Sequence, residues 1–213
     1  MAADLAFDVL DKKDTLQDND PARAAGRPRS ENSRKAILES TRRLLTRTPL
    51  SALSIEAIAK RAGVGKTTIY RWWNSKAAVA MEAFLEQPGM NSATQLPDDI
   101  MTPAEGVEQH LINLVRLLRG QNGRIIAGII AESQSDASVL DLLYERFLKD
   151  RVGALYRHIE EGKRDGSFKT DVETDIAVDM VLGPLFLRVL SGEHGIDARF
   201  AETYPQQACR MLA

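Results

Sequence analysis

The chain has 213 residues, of which 44% are hydrophobic and 27% are charged, an ordinary composition for a globular protein of one or two small domains. Its single cysteine, Cys209, excludes an intrachain disulfide and a zinc site built from cysteines. The acidic first 20 residues lack the apolar core of a signal peptide, and no run of about 18 apolar residues predicts a membrane span. We therefore expect a cytoplasmic protein without membrane contact.

The net charge of −2 conceals a strong asymmetry along the chain. Residues 23–76 hold 13 Lys and Arg against 3 Asp and Glu, whereas residues 1–20 hold 2 against 6 and residues 77–213 hold 13 against 21. A basic segment between acidic ones is typical of a head that binds a polyanion, on a body that does not touch it. The alternative is a solvated basic face without a partner.

The first part of the chain predicts an arm followed by four helices. Residues 1–31 are rich in Asp, Ala, Pro and Arg with little to bury, which predicts a disordered arm. Apolar spacing predicts helices at 32–47, 55–61, 66–72 and 76–86. Ile37 and Leu38 lie on the apolar face of the first, which ends before Pro49. Ser54 is suited to cap the second helix.

The rest of the chain also predicts helices. After a loop at 88–97, apolar residues recur at helical spacing in 103–119, 123–133, 138–162, 172–190 and 198–211. No stretch alternates polar and apolar residues as a strand does, so the predicted fold class is all-α, and the short connections favour a bundle. In the helix at 172–190 the apolar face is too wide for packing on one side, and Pro184 predicts a kink or local unwinding.

Residues 54–73 have the pattern of a helix-turn-helix. Ala59 is small enough to let two helices cross closely, and Gly63 can adopt the positive φ that the tight turn requires. Apolar residues at 55, 58, 62, 64 and 69 form a small core that fixes the crossing angle. The second helix then presents donor-rich side chains of a size that fits the DNA major groove: Lys66, Thr67, Thr68, Tyr70 and Arg71.

Residues 33–85 resemble the DNA-binding head of TetR-type (tetracycline-repressor-like) transcriptional regulators. The resemblance rests on Ile37 and Leu38, then LSIEAIA at 53–59, AGV at 62–64, TIYRWW at 68–73 and SK at 75–76. It implies a three-helix head that a fourth helix joins to a C-terminal helical bundle. It also implies that the bundle forms a homodimer through its last two long helices and holds a small-molecule effector, whose identity the sequence leaves open.

The same resemblance implies a role for each matched residue. Ser54 and Lys76, each at the start of a helix, and the phenol of Tyr70 are expected to bind DNA phosphates. Trp72 matches a position that often touches the DNA backbone, and Trp73 matches the aromatic residue that packs the fourth helix onto the head. The residues expected to read bases are Lys66, Thr67 and Thr68.

The end of the arm carries the sequence GRPR at 26–29. Arg27 and Arg29 either enter a narrow A·T-rich minor groove, whose deeper negative potential attracts arginine, or attract phosphates without specificity.

An effector pocket is expected among the fourth to eighth predicted helices, although residues of this kind are more often ordinary core. His110 and Tyr144 are candidate polar contacts. The apolar lining candidates are Phe84, Leu111, Leu114, Leu118, Phe147, Met180 and Phe186.

The sequence offers little support for an enzyme. GVGKT at 63–67 resembles the end of a P-loop, but Lys60 stands where that loop requires glycine. The three histidines are far apart, and His158 with Glu161 on one helix face does not make a metal site. We therefore expect no catalytic residues, no cofactor and no metal.

These observations together predict a sequence-specific transcriptional regulator that binds double-stranded DNA. Its expected parts are a disordered arm at 1–31, a helix-turn-helix DNA-binding domain at 32–76, and a ligand-binding and dimerisation domain at 77–213. The expected mode is a ligand-responsive repressor that binds a palindromic operator as a homodimer. The alternative is a DNA-architectural protein without a ligand and with little sequence preference.

Overall fold

Helices provide all the regular structure of the residues that the computed structural model describes, namely 31–88, 90, 102–192 and 195–213. The α-helices are α1 (Glu31–Leu45), α2 (Ile55–Ala62), α3 (Lys66–Tyr70), α4 (Lys76–Leu85), α5 (Pro103–Leu118), α6 (Gln121–Ser133), α7 (Ala137–Leu143), α8 (Lys149–Asp165), α9 (Thr174–Leu190) and α10 (Ala198–Leu212). The predicted all-α class is confirmed.

The head is built from α1, α2 and α3, with a short 3₁₀ turn, Leu50–Ala52, between the first two. α1 packs against α2 and α4 and buries Ile37 and Leu38. Thr41 is also buried, and its hydroxyl donates to the carbonyl oxygen of Ile37 at 2.8 Å. That bond satisfies the polar group inside the apolar contact.

The helix α4 lies between the head and the body. It contacts α1 on one side and α6 and α7 on the other, and most of its residues are buried, including Met81 and Phe84. A helix that is apolar around most of its circumference is stable only when other elements cover it. α4 is therefore packed against both the head and the body.

The body consists of α5 to α10. α5 packs against α8 and α10, while α9 packs against α6 and α8. Thr102 and Glu105 fix the start of α5 with a reciprocal capping box. None of the described helices is long and apolar enough to cross a membrane.

Some predicted boundaries need correction. The single helix predicted at 138–162 is instead α7, a π-helical turn (Tyr144–Leu148) and α8, which continues to Asp165. Hydrophobic periodicity cannot detect one extra residue in a turn, so the sequence pattern concealed this insertion. α3 ends at Tyr70 rather than at residue 72, and α1 begins at Glu31, inside the predicted arm. α9 continues through Pro184.

Candidate nucleic-acid interface

The crossing of α2 and α3 is fixed by a cap at one end of α2 and a left-handed residue at the other. The Ser54 hydroxyl accepts a hydrogen bond from the Ala57 N–H at 3.1 Å and so caps α2. Gly63 has φ 68° and ψ 32°, and its N–H bonds to the carbonyl of Ala59. Glycine adopts this conformation without strain, so the chain turns sharply into α3.

The buried side of α3 determines which side chains face outward. Ile69 is completely buried, as is Ile58 of α2. Because α3 packs against α2, the burial of Ile69 sets the rotation of α3. The two predicted base readers at its start, Lys66 and Thr67, are exposed, and Thr68 is half-buried. Tyr70 is 55% exposed and presents its phenol beside them.

The predicted base reader Lys66 forms an ion pair with Glu56 of α2, with Nζ 3.0 Å from Oε1. The hydrogen bond between them raises the pKa of the Lys66 ammonium and lowers the pKa of the Glu56 carboxyl. Because both side chains are exposed, solvent screens the pair, which holds the lysine only weakly. The ammonium therefore keeps its charge and remains available to another acceptor.

The predicted phosphate contact Lys76 lies at the start of α4, where Ser75 caps the helix by accepting from the Ala78 N–H at 3.1 Å. Its ammonium nitrogen is 2.9 Å from a carboxylate oxygen of Glu132, near the end of α6, and donates to the carbonyl of Ser51 at 3.3 Å. Lys76 thus joins the head, α4 and the body, and neither contact was predicted from the sequence.

The two tryptophans have different surroundings. Trp73 is buried, and its indole N–H donates to the Glu82 carboxylate at 2.7 Å. The same carboxylate accepts a hydrogen bond from Arg34 of α1. Glu82 of α4 is therefore bonded both to the first helix of the head and to the segment that follows its last helix. Trp72 is half-buried, and the Arg34 guanidinium carbon lies 6.0 Å from its ring centroid. Trp73 therefore supports the head from inside, as its predicted packing role requires.

A second contact between head and body lies where Leu50 of the 3₁₀ turn meets α6. A Cβ atom added at Gly128 would lie 2.9 Å from the Cβ of Leu50. Real Cβ atoms do not approach that closely, so the turn can rest against α6 because residue 128 has no side chain. Leu50 is buried by this packing.

The arginines of the predicted arm, Arg27 and Arg29, lie outside the described residues. Among the effector-pocket candidates, Met180 departs from the expectation: it is 40% exposed, on the outer side of α9. Phe186 is half-buried. Apolar residues cover more than one side of α9, so their spacing fits more than one rotation of the helix. The sequence therefore could not identify which of them point inward. The candidates that are buried in the body or in α4 are Phe84, Leu111, Leu114, Leu118 and Phe147.

Several residues of the site could not be recognised from the sequence. Arg34, Glu82 and Glu132 are charged residues on helix surfaces, and nothing in their local pattern distinguishes a partner in another helix from solvent. Arg151 offered a weak signal, because it lies within a helix whose neighbouring turns are apolar. Within the described ranges no group of three His, Cys, Asp or Glu side chains is arranged to hold a metal ion.

A capped helix, a glycine turn and a short second helix with an outward polar face define a helix-turn-helix DNA-binding protein. Residues 37–83 match the family described as "Bacterial regulatory proteins, tetR family", and residues 99–208 match "Tetracyclin repressor-like, C-terminal domain". The HTH-type transcriptional regulator YdeS of Bacillus subtilis is 33% identical over 166 residues, which cover 78% of this chain and 82% of YdeS. The chain belongs to the TetR family of transcriptional regulators.

Solved structures share the fold. FadR of Bacillus subtilis, in complex with stearoyl-CoA, has a TM-score of 0.63 at 16% identity, covering 84% of this chain and 99% of FadR. NalD, the secondary repressor of the MexAB-OprM efflux pump in Pseudomonas aeruginosa, has a TM-score of 0.63 at 19% identity, covering 86% of this chain and 98% of NalD. At these identities the likeness concerns the fold.

Proposed function

We propose that this regulator is a ligand-responsive repressor that binds a palindromic operator as a homodimer. Residues 32–76 act as its DNA-binding domain, and residues 77–213 as its ligand-binding and dimerisation domain. The observation that carries the proposal is the outward polar face of α3, held at a fixed angle by the buried Ile69 on a head of strongly positive sequence. Two structurally similar proteins support repression and effector binding: NalD is a secondary repressor, and FadR was solved in complex with stearoyl-CoA.

In this proposal the head divides its contacts with DNA into two kinds. Lys66, Thr67 and Thr68 read base edges in the major groove, since they lie at the start of the exposed face of α3. Phosphate contacts come from Ser54, Tyr70, Trp72 and Lys76, with Arg27 and Arg29 of the arm adding to the attraction.

The dimer is supported by a row of exposed apolar side chains on α9. Ile176, Met180, Leu187 and Leu190 are 40–66% exposed in the single chain, and their spacing of four, seven and three residues places them on one face of the helix. A face of this kind is stable in water when a second copy covers it. We assign α9, with α10 beside it, to the dimer interface.

The test of DNA recognition is selection of binding sites from random duplexes by the full chain. We expect a palindrome with half-sites about 34–36 Å apart, one turn of DNA. Lys66→Ala and Thr67→Ala should relax base preference, whereas Tyr70→Ala should weaken binding to all sequences. Equal affinity for selected and random DNA would instead indicate the DNA-architectural alternative.

The dimer is tested by sedimentation of two matched variants. Leu187→Glu places a charge in the exposed row of α9, and Leu140→Glu makes the same change at an exposed leucine of α7 that is 48% accessible. We expect Leu187→Glu to sediment as a monomer and to lose operator affinity, while Leu140→Glu remains a dimer. Two dimeric variants would reject this interface.

A further inference from the structure

His110 of α5 is completely buried, and neither of its ring nitrogens has a hydrogen-bond partner among the described residues. A neutral imidazole carries one donor and one acceptor, so two polar atoms are left unsatisfied. Each such atom has lost its hydrogen bonds to water without a replacement, which destabilises the folded state. Native proteins rarely retain such groups unless a ligand or a bound water satisfies them.

Arg151 of α8 lies in the same part of the body and is 5% exposed. Its guanidinium donates to the carbonyl of Phe147 at 2.6 Å and to that of Met90 at 2.9 Å, and its carbon lies 4.2 Å from the Phe147 ring centroid. Nε has no partner, and no carboxylate pairs with this arginine in the part of the chain that the structure describes. The buried positive charge of Arg151 is therefore stabilised only by two backbone carbonyls and an aromatic ring, with no negative charge beside it.

The two groups belong to one contact, the seam between α5 and α8. A Cβ atom at Gly106 would lie 2.6 Å from the His158 ring, which shows how closely these helices meet. His110 is one turn beyond Gly106, and Arg151 is two turns before His158, so each lies on the facing side of its helix. The positive charge of Arg151 acts on His110.

We propose that the seam between α5 and α8 binds the carboxylate of an apolar small molecule, with Arg151 as its counter-ion and His110 as a second hydrogen-bond partner. The two oxygens of a carboxylate match the paired N–H groups of a guanidinium. The single negative charge of a carboxylate balances the single positive charge of Arg151. A doubly charged phosphate would leave one negative charge unbalanced in the same site. The surroundings are apolar, since Leu111 and Leu155 are completely buried nearby on the same two helices.

Such a ligand would act on the DNA-binding head through α4, an inference that rests on the proposed ligand-responsive function. Arg151 holds the carbonyl of Met90, five residues after the end of α4, and the carbonyl of Phe147 in the π-helical turn. The Phe147 ring meets Phe84 of α4 edge-on, with centroids 5.6 Å apart. A carboxylate that takes the guanidinium from these carbonyls loosens both contacts with α4.

The test measures binding of a series of saturated carboxylates, from hexanoate to hexadecanoate, to the full-length protein by calorimetry, with the matching primary alcohols as neutral probes. We expect carboxylates to bind at least about tenfold more tightly than alcohols, since a charge-assisted hydrogen bond contributes that much. Arg151→Met should remove this preference. Arg164→Met, at an exposed position of the same helix, should leave it unchanged.

His110→Leu keeps the test independent of misfolding. It removes the unsatisfied atoms, so the free protein should melt at a higher temperature while its carboxylate affinity falls. In wild type, the ring resonances of His110 should shift when the carboxylate is added. Binding of no carboxylate, equal binding of alcohols, or full binding by Arg151→Met would each overturn the site. Binding through Arg151 without any change in operator affinity would retain the site and reject ligand-responsive repression.

Discussion

The contact between Leu50 and Gly128 allows a direct test of how the head is held on the body. Gly128→Ala adds one methyl group where its Cβ would lie 2.9 Å from the Cβ of Leu50. The obstructing atom is next to the backbone, so the 3₁₀ turn itself must move. Gly153→Ala is the matched control, because a Cβ at this position of α8 has nothing within 4 Å.

The two substitutions share one favourable effect and differ in one unfavourable effect. Alanine stabilises a helix interior by about 1 kcal/mol relative to glycine, so Gly153→Ala should raise Tm by about 2–4 °C in a chain of this size. Gly128→Ala gains the same amount but adds an overpacking cost of about 1–3 kcal/mol. The free energy of unfolding of Gly128→Ala should therefore be lower than that of Gly153→Ala by about 1–3 kcal/mol, the cost of overpacking.

Thermal and urea unfolding of both variants give this difference, and fluorescence anisotropy with a selected operator shows whether the head has moved. We expect Gly128→Ala to bind DNA more weakly, because α6 no longer supports the turn that precedes α2, and Gly153→Ala to bind normally. Equal stabilisation of the two variants, with unchanged DNA affinity, would show that Leu50 does not constrain the head.

Three further predictions concern single contacts. Glu132→Gln frees Lys76 from the body, so affinity for DNA should rise and should depend more steeply on salt. Lys76→Ala should lower the affinity and reduce the slope of log affinity against log salt concentration by about one. Fluorescence anisotropy measures both effects. Ser54→Ala should lose about 1 kcal/mol of stability in urea by removing a cap, while Ser54→Asp keeps the cap but repels phosphate. Gly162→Ala places a Cβ 2.2 Å from the Phe168 ring and should destabilise the protein by about 1–3 kcal/mol in urea.

The local features of the head were predictable because they depend on neighbouring residues. Ser54 as a cap, Gly63 as the turn and Ile69 as the buried side of α3 follow from spacing and residue type. Contacts between distant parts of the chain did not follow. The pairing of Lys76 with Glu132 joins residues 56 positions apart, and periodicity gives no information about which surface charges meet.

The body shows a second limit. Apolar periodicity identified its helices, but the rotation of α9, which exposes Met180, depends on the elements that pack against it. The π-helical turn before α8 inserts one residue into an otherwise regular pattern, and this changes the direction of every later side chain. The burial of Arg151, four residues from both the buried Phe147 and the buried Leu155, was only weakly indicated by this spacing, and its partner Met90 was not indicated at all.

The last prediction concerns pH and follows from His110. Burial, followed by the charges of Arg151, His158 and Arg157 of α8, lowers the pKa of His110 from 6.5 to about 4. Between pH 6.5 and about 4 the histidine is protonated in the unfolded chain but stays neutral in the folded protein. The stability that comes from keeping His110 neutral and buried is therefore fully present above pH 6.5 and is lost as the pH falls towards 4. The loss between pH 7 and pH 5 amounts to roughly 2 kcal/mol.

Urea unfolding at pH 7 and pH 5 isolates this effect when wild type is compared with His110→Leu, which lacks the titrating group but keeps all others. Wild type should lose more stability on acidification than the variant. A bound carboxylate would raise the pKa of His110, because its negative charge favours the imidazolium. The ligand-saturated protein should then lose less stability, and the ligand should bind more tightly at pH 5. Identical pH profiles for wild type and variant would mean that His110 is satisfied in solution, which would also remove its part in the proposed site.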